Sequence, residues 1–270
     1  MDLQLQNQHV LITGGSRGIG FACAHQFLAE GARLTLVGRD GVHLQSARAK
    51  LQQQYPGRDA AIHILSADLT DPDAARAMLE QAQAAAPAGL GPVDILVNCA
   101  GAARRTPPDE LGPAAWHAAM QAKFFSYINV IDPLVKQFAE RGRGVIVNVV
   151  GTGGKVASPI HLPGGSANAA LMLASAGLAN AYAGRGVRVN VVNPAQTRTE
   201  RLDQGLQAEA RLQGISAQEA LARVNQRHPM ERIAEPGEIA DAVVFLASPR
   251  ASYVNGAVLT VDGGLTPLVA

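Results

Sequence analysis

Short apolar runs recur along the chain, and most are followed by a longer stretch with helical spacing. Val10–Ile12 opens the series. Arg33–Val37, Ala61–Leu65, Val93–Val97, Val145–Val150, Val187–Val192 and Ala257–Val261 continue it. Such runs read as strands buried on both faces of a parallel sheet. After the first run, Ile19, Ala22, Cys23 and Phe27 fall on one helical face. A second helix is expected to end near Gln54, before Pro56-Gly57. The next has Thr70 or Asp71 as N-cap with Pro72 in its first turn, and extends to about Ala86. Longer helices are expected over Pro113–Arg141 and Ser166–Tyr182, and Pro236 opens the last one. Glu200–Arg227 is polar, helical in propensity and broken by Gly205 and Gly214, which suggests a mobile substrate flap. Strand and helix alternate without linker or repeat. The expected fold is α/β: a single doubly wound domain over residues 1–270, with a central parallel sheet of about seven strands and helices on both faces.

The first strand runs into Thr13-Gly14-Gly15-Ser16-Arg17-Gly18-Ile19-Gly20 and then directly into a helix. Glycines allow a tight turn and close backbone approach, while a helix N-terminus points free N–H groups at an anion. The spacing is Gly-x-x-x-Gly-x-Gly, so any sharp strand-to-helix turn is the competing explanation for it.

Composition narrows the functional classes. The 270 residues carry 23 Lys+Arg against 22 Asp+Glu, with no basic run, so a nucleic-acid partner is not expected. No apolar stretch reaches membrane-spanning length. The N-terminal residues lack the basic region and apolar core of a signal peptide, and a cytoplasmic protein is expected. Cys23 and Cys99 fall in expected core elements and read as small buried hydrophobes. The seven histidines are scattered, so no metal site is expected.

With these motifs in order, the chain resembles the short-chain dehydrogenase/reductase superfamily, a Rossmann-type fold, over nearly its whole length. Thr13–Gly20 is similar to the family's cofactor-phosphate turn, which implies nucleotide contacts from Gly14, Ser16, Arg17, Gly18, Ile19 and Gly20. Asp68-Leu69 stands where the family contacts the adenine ring. Asn98-Cys99-Ala100-Gly101 resembles its Asn-Asn-Ala-Gly motif, bringing Asn98, Ala100 and Gly101 to the site. Asn193–Thr199 resembles the segment after the sixth strand, with Ala195 in place of the usual glycine, and implies roles for Pro194, Thr197 and Thr199. Arg232–Ala247 and Val261-Asp262-Gly263-Gly264 resemble the C-terminal signature. The resemblance implies a nicotinamide dinucleotide and a homodimer or homotetramer packed through the two long helices. NAD sites place an acid at the end of the second strand. Here Gly38 occupies that position, with Arg39 beside it and Arg17 in the glycine turn. Forked guanidinium groups suit a ribose 2′-phosphate, so NADP(H) is the preferred cofactor and NAD(H) the alternative. Two solvated surface arginines are the competing reading.

The family's catalytic set does not carry over. Its serine position falls at Gly151, followed by Thr152. Its tyrosine and lysine positions fall at Gly164 and Asn168, and its helix asparagine at Lys123. No Tyr-x-x-x-Lys occurs in the chain, so the standard mechanism is not expected. Asparagine and lysine stand exchanged, Lys123 on the long helix and Asn168 on the next. Lys123 is therefore the candidate proton donor, facing the nicotinamide beside Asn168, with a pKa lowered by desolvation. The structural alternative is a lysine paired with backbone carbonyls or a loop acid. Thr152, Ser166 and His161 are further proton-handling candidates, although a lone loop histidine is more often simply exposed. Phe124 and Phe125 are expected in the helix core. The substrate pocket is expected beneath Lys155–Pro163 and the flap, and no motif identifies its ligand.

Three functions follow. The first is an NADP(H)-dependent oxidoreductase with a non-standard acid/base group, acting on a small carbonyl or alcohol. The second is a dinucleotide-binding sensor or structural protein. The third is a lyase or hydratase on the same fold. Fold alone does not choose among them.

Overall fold

The computed structural model describes residues 2–84, 89–101 and 106–268. The strands are β1 (His9–Thr13), β2 (Arg33–Gly38), β3 (Ile62–Ser66), β4 (Ile95–Asn98), β5 (Gly144–Val149), β6 (Val187–Pro194) and β7 (Val258–Val261). They form one parallel sheet in the order β3-β2-β1-β4-β5-β6-β7. The order reverses between β1 and β4, and that reversal opens a crevice at the carboxyl ends of the strands.

Side chains alternate between the two faces, as strand geometry requires. Val10, Ile12, Leu34 and Leu36 pack on one side with α1 (Gly18–Ala29), α2 (Gly41–Gln54) and α9 (Pro236–Ala247). Leu11, Val37, Leu96, Ile146 and Val189 pack on the other with α3 (Pro72–Gln83), α5 (Ser126–Arg141) and α6 (Leu162–Tyr182). A row of buried polar groups crosses the sheet between these layers. Thr13 Oγ1 donates to Asn98 Oδ1 (3.1 Å), and Asn98 Nδ2 donates to Asn148 Oδ1 (2.9 Å). Asn148 Nδ2 donates in turn to the Ser175 hydroxyl (2.9 Å), which donates to the Leu171 carbonyl (2.6 Å).

Several sequence expectations need correction. The Pro113–Arg141 helix is not uniform: α4 (Pro113–Ala119) passes through a π-helical stretch, Met120–Phe125, before α5. A wider turn leaves no trace in a 3.6-residue period. The helix α6 begins at Leu162 rather than Ser166, with Pro163 in its first turn, where a missing N–H costs nothing. The helix α3 ends at Gln83, and the tail of the expected helix near Ala86 lies outside the described residues. Glu200–Arg227 is a helical hairpin of α7 (Glu200–Gln213) and α8 (Ala217–Gln226). Gly205 does not break it, and only Gly214 does, in a left-handed C-cap (φ +66°). Leu206, Ala210, Ala220, Val224 and Ile233 give the hairpin a small core of its own. Phe125 is exposed rather than core, whereas Phe124 packs against the β5-side cluster.

Candidate active site

Most of the residues singled out from the sequence lie at or just past the carboxyl ends of the strands, while Lys123 and Asn168 reach that edge from the π-helical stretch and from α6. The glycine turn needs its glycines for packing. A Cβ on Gly20 would lie 2.2 Å from the Gly14 carbonyl oxygen, and one on Gly14 (φ +67°) 2.9 Å from the Ala100 nitrogen. The turn is thereby locked to the Asn98–Gly101 segment, whose Cys99 and Ala100 N–H groups donate to Thr13 Oγ1. Gly18 is different. At φ +56°, a Cβ there would meet the Thr199 side chain at 3.2 Å and, among the described residues, no backbone atom within 4 Å. The helix α1 starts with no side-chain cap and no acid in its first turn, which leaves its amide dipoles directed at the crevice.

Arg17 and Arg39 are both exposed, one on the glycine turn and one after β2. A Cβ at position 38 would lie 3.6 Å from both the Leu44 side chain and the Ser16 hydroxyl. Nearby acids are engaged elsewhere. Asp40 caps α2 through the N–H groups of Val42 (2.9 Å) and His43 (3.1 Å). Those bonds hold its carboxyl below the usual range, with help from His43 and Arg17. Asp68 accepts from the Thr70 N–H (3.0 Å) and hydroxyl (2.9 Å), and this likewise lowers its pKa. Across the crevice, Thr199 accepts from Leu202 N–H as the N-cap of α7, while the Thr197 hydroxyl donates to the Ala195 carbonyl (3.2 Å).

The β5 end is built differently. Gly151 (φ +137°) donates its N–H to Asn193 Oδ1 (3.0 Å), a residue that sequence reasoning did not single out as a site residue. Asn168 Nδ2 reaches the Gly151 carbonyl at 3.5 Å. A 3-10 turn, Thr152–Gly154, then lies backbone-to-backbone on α6. A Cβ on Gly154 would fall 2.8 Å from the Ala169 nitrogen, and one on Gly165 2.6 Å from the Gly153 carbonyl oxygen. His161 stands half-buried at the start of α6 with its ring near Gly153, and Ser166 is exposed.

Lys123 lies in the π-helical stretch and is 8% exposed. Its ammonium donates to the Tyr127 hydroxyl (2.9 Å) and to the Val149 carbonyl (3.2 Å). The carbonyl contact is the one that the structural alternative anticipates. The Gly101 backbone packs against this stretch, since a Cβ there would lie 2.2 Å from the Ala122 carbonyl oxygen. Lys123 and Asn168 thus both attach to the end of β5, two residues apart along it, at Val149 and Gly151. Tyr127 was missed as a partner, although its spacing of one helical turn after Lys123 was legible.

A cavity of about 630 Å³ opens at the other, amino edge of the sheet, lined by Leu5, Asp94, Arg143, Arg188 and Tyr253 among others. It lies away from these motifs. Among the described residues no group of three His, Cys, Asp or Glu side chains could hold a metal, and no helix is long and apolar enough to cross a membrane.

Known proteins share this fold. Residues 14–266 match the model of a family described as enoyl-(acyl carrier protein) reductase. The chain is 35% identical to galactitol 2-dehydrogenase (L-tagatose-forming) of Cereibacter sphaeroides, over 94% of this chain and 93% of that protein. It is 33% identical to D-threitol dehydrogenase of Mycolicibacterium smegmatis, over 98% and 95%. The structure of L-sorbose reductase from Gluconobacter frateurii, complexed with NADPH and L-sorbose, covers both chains completely with a TM-score of 0.92 at 28% identity. With the sheet order, the glycine turn and these matches in agreement, the chain belongs to the short-chain dehydrogenase/reductase superfamily.

Proposed function

We propose that this protein is an NADP(H)-dependent oxidoreductase that interconverts a small ketone and alcohol of the polyol or sugar type. The observation that carries the reading is the nucleotide cradle. An uncapped helix N-terminus meets a turn in which Gly18 stands clear of the surrounding backbone, and position 38 carries no acid while Arg17 and Arg39 are exposed. Gly14, Ser16, Gly18, Ile19 and Gly20 would hold the pyrophosphate, and Arg17 and Arg39 the 2′-phosphate. Asp68 and Leu69 would border the adenine, while Asn98, Ala100, Gly101, Pro194, Thr197 and Thr199 would line the nicotinamide end. The polyols and the ketose named for the relatives support the substrate class.

When bound, the cofactor supplies the hydride. The chain must then supply a proton at the substrate oxygen, and it lacks the family's Asn-Ser-Tyr-Lys set at the four matching positions. We assign that proton to Lys123 Nζ, with Asn168 beside it as a polar contact and Thr152 and His161 bordering the same pocket. The α7–α8 hairpin is the flap over it. Leu173 (78% exposed), Trp116 (38%) and Phe125 (42%) leave apolar surface on α4–α6, which supports a homodimer or homotetramer.

The backbone packing of Thr152–Gly154 on α6 favours a second reading, dinucleotide binding without turnover, because that loop carries none of the family's usual side chains. One experiment separates the two. NADPH absorbance is followed with a panel of ketoses and small ketones, alongside calorimetry of NADPH binding. Turnover of any ketose supports the oxidoreductase. Binding with no turnover across the panel supports the second reading.

A further inference from the structure

The Lys123 ammonium, the Tyr127 hydroxyl and the Val149 carbonyl form a closed triangle. Lysine donates to tyrosine at 2.9 Å and to the carbonyl at 3.2 Å, and tyrosine donates to the same carbonyl at 2.7 Å. The lysine nitrogen also lies 4.6 Å from the centre of the tyrosine ring, a cation–π distance. Tyr127 is fully buried, so it touches neither substrate nor cofactor. Its hydroxyl spends its proton on a backbone carbonyl at the end of β5, which fixes the direction of the lone pair that receives Lys123. Burial, with the Cys99 thiol nearby, pushes the phenol pKa well above its usual value, so the hydroxyl keeps its proton.

We infer that Tyr127 is a positioning residue for Lys123, a lysine-to-tyrosine pair on one helix that holds the ammonium at the carboxyl end of β5 for proton donation to the substrate oxygen. The inference rests on the reading of Lys123 as the acid. A lysine has a long, flexible stem, and proton transfer requires a donor within hydrogen-bond reach of the oxygen. A fixed acceptor one turn along the helix, reinforced by the ring face, supplies that order. In the reduction direction the proton leaves Nζ for the oxygen as the carbonyl π pair becomes an O–H bond. The amine keeps its electron pair and regains a proton from solvent, and Tyr127 keeps its own proton throughout.

The chain holds four lysines, Lys50, Lys123, Lys136 and Lys155, so lysine labelled with ¹³C at Cε gives a spectrum that single replacements assign. In the unaltered protein the Lys123 ε signals are expected at ring-shifted positions. Tyr127→Phe keeps the ring and removes the acceptor. It is expected to lower the Lys123 titration midpoint by about one pH unit, because the ammonium loses a hydrogen bond. It should also lower kcat roughly tenfold to hundredfold and move the pH profile of kcat with that midpoint, leaving NADPH affinity unchanged. Lys123→Met is expected to abolish most turnover. If Lys123→Met loses turnover while Tyr127→Phe keeps the original kcat, pH profile and lysine titration, the positioning role is overturned and the lysine acid stands. If Lys123→Met turns over normally, or the unaltered protein reduces nothing, the reading beneath fails and this inference with it. Should Tyr127→Phe not fold, Lys123 ε signals without a ring shift in the unaltered protein would overturn the pairing.

Discussion

Two neighbouring stretches of the sheet's carboxyl edge, after β1 and β4 and after β5, are lined by glycine; in both, backbone packs on backbone, but what is packed differs. At β1 and β4 the turn itself closes up, Gly20 against Gly14 and Gly14 against Ala100, while Gly18 faces the Thr199 side chain and the N-terminus of α1 carries no side-chain cap. At β5 the glycines let a loop settle onto α6, with Gly154 against Ala169 and Gly165 against Gly153. A site made of main-chain dipoles is fixed by geometry and tolerates little substitution. Chemistry lodged in side chains can move to another residue, provided the pocket still brings a proton to the same oxygen.

The sharpest way to break this contrast is Gly18→Val. At φ +56° a β-branched residue is strained, and its side chain would meet Thr199 while occupying the phosphate approach. NADPH binding should vanish in calorimetry and Tm should fall. Undiminished binding would mean that the turn serves only the fold. A smaller effect is expected from Arg39→Ala, which should weaken NADPH by about 1–3 kcal/mol and leave NADH nearly unchanged. Equal losses for both nucleotides would remove the charge argument. The smallest effect comes from His9, far from the crevice at the amino end of β1. Its buried ring bonds the Gly91 carbonyl (2.9 Å) and the Thr35 hydroxyl (2.8 Å). Burial lowers its pKa, chiefly by desolvation. The unfolded chain therefore takes up a proton near pH 6.5 that the folded chain refuses. Stability contributed by the neutral ring is complete above that pH and declines as the pH falls below it. Thermal melts on acidification should show a steeper loss for the unaltered protein than for His9→Gln, and parallel slopes would remove His9 from the account.

Much of the fold was legible because a parallel sheet buried on both faces writes continuous apolar runs. Strand number, alternation and the glycine turn all follow from that pattern. What was hidden has physical causes. A π-helical turn at Met120–Phe125 has no signature in a 3.6-residue period. Pro163, Gly164 and Gly165 read as loop until the first turn of α6 is seen to need no N–H from proline and close backbone contact from glycine. Phe124 and Phe125 are successive residues of the π-helical stretch and point in different directions around it, so one faces the core and the other does not. In the site, the glycine spacing alone fits any sharp strand-to-helix turn, and the later motifs in order are what gave it weight. The Lys123–Tyr127 pair was not found, because a search for lysine after tyrosine passes over lysine before it. Asn193 gave no signal, since its link to Gly151 joins two strand ends 42 residues apart.

The polar row from Thr13 through Asn98 and Asn148 to Ser175 bears on assembly of the sheet. Each amide finds its partner only when β1, β4 and β5 pair as Thr13 with Asn98 and Asn98 with Asn148. A one-residue slip of β4 would turn Asn98 to the opposite face and strand Thr13 and Asn148 in a dry interior, at a cost of about 1–3 kcal/mol for each unpaired group. Apolar strands alone discriminate poorly between neighbouring alignments, since one valine replaces another. Four hydrogen-bonding side chains therefore act as a key that only the correct alignment turns, and a slipped sheet is the less stable one.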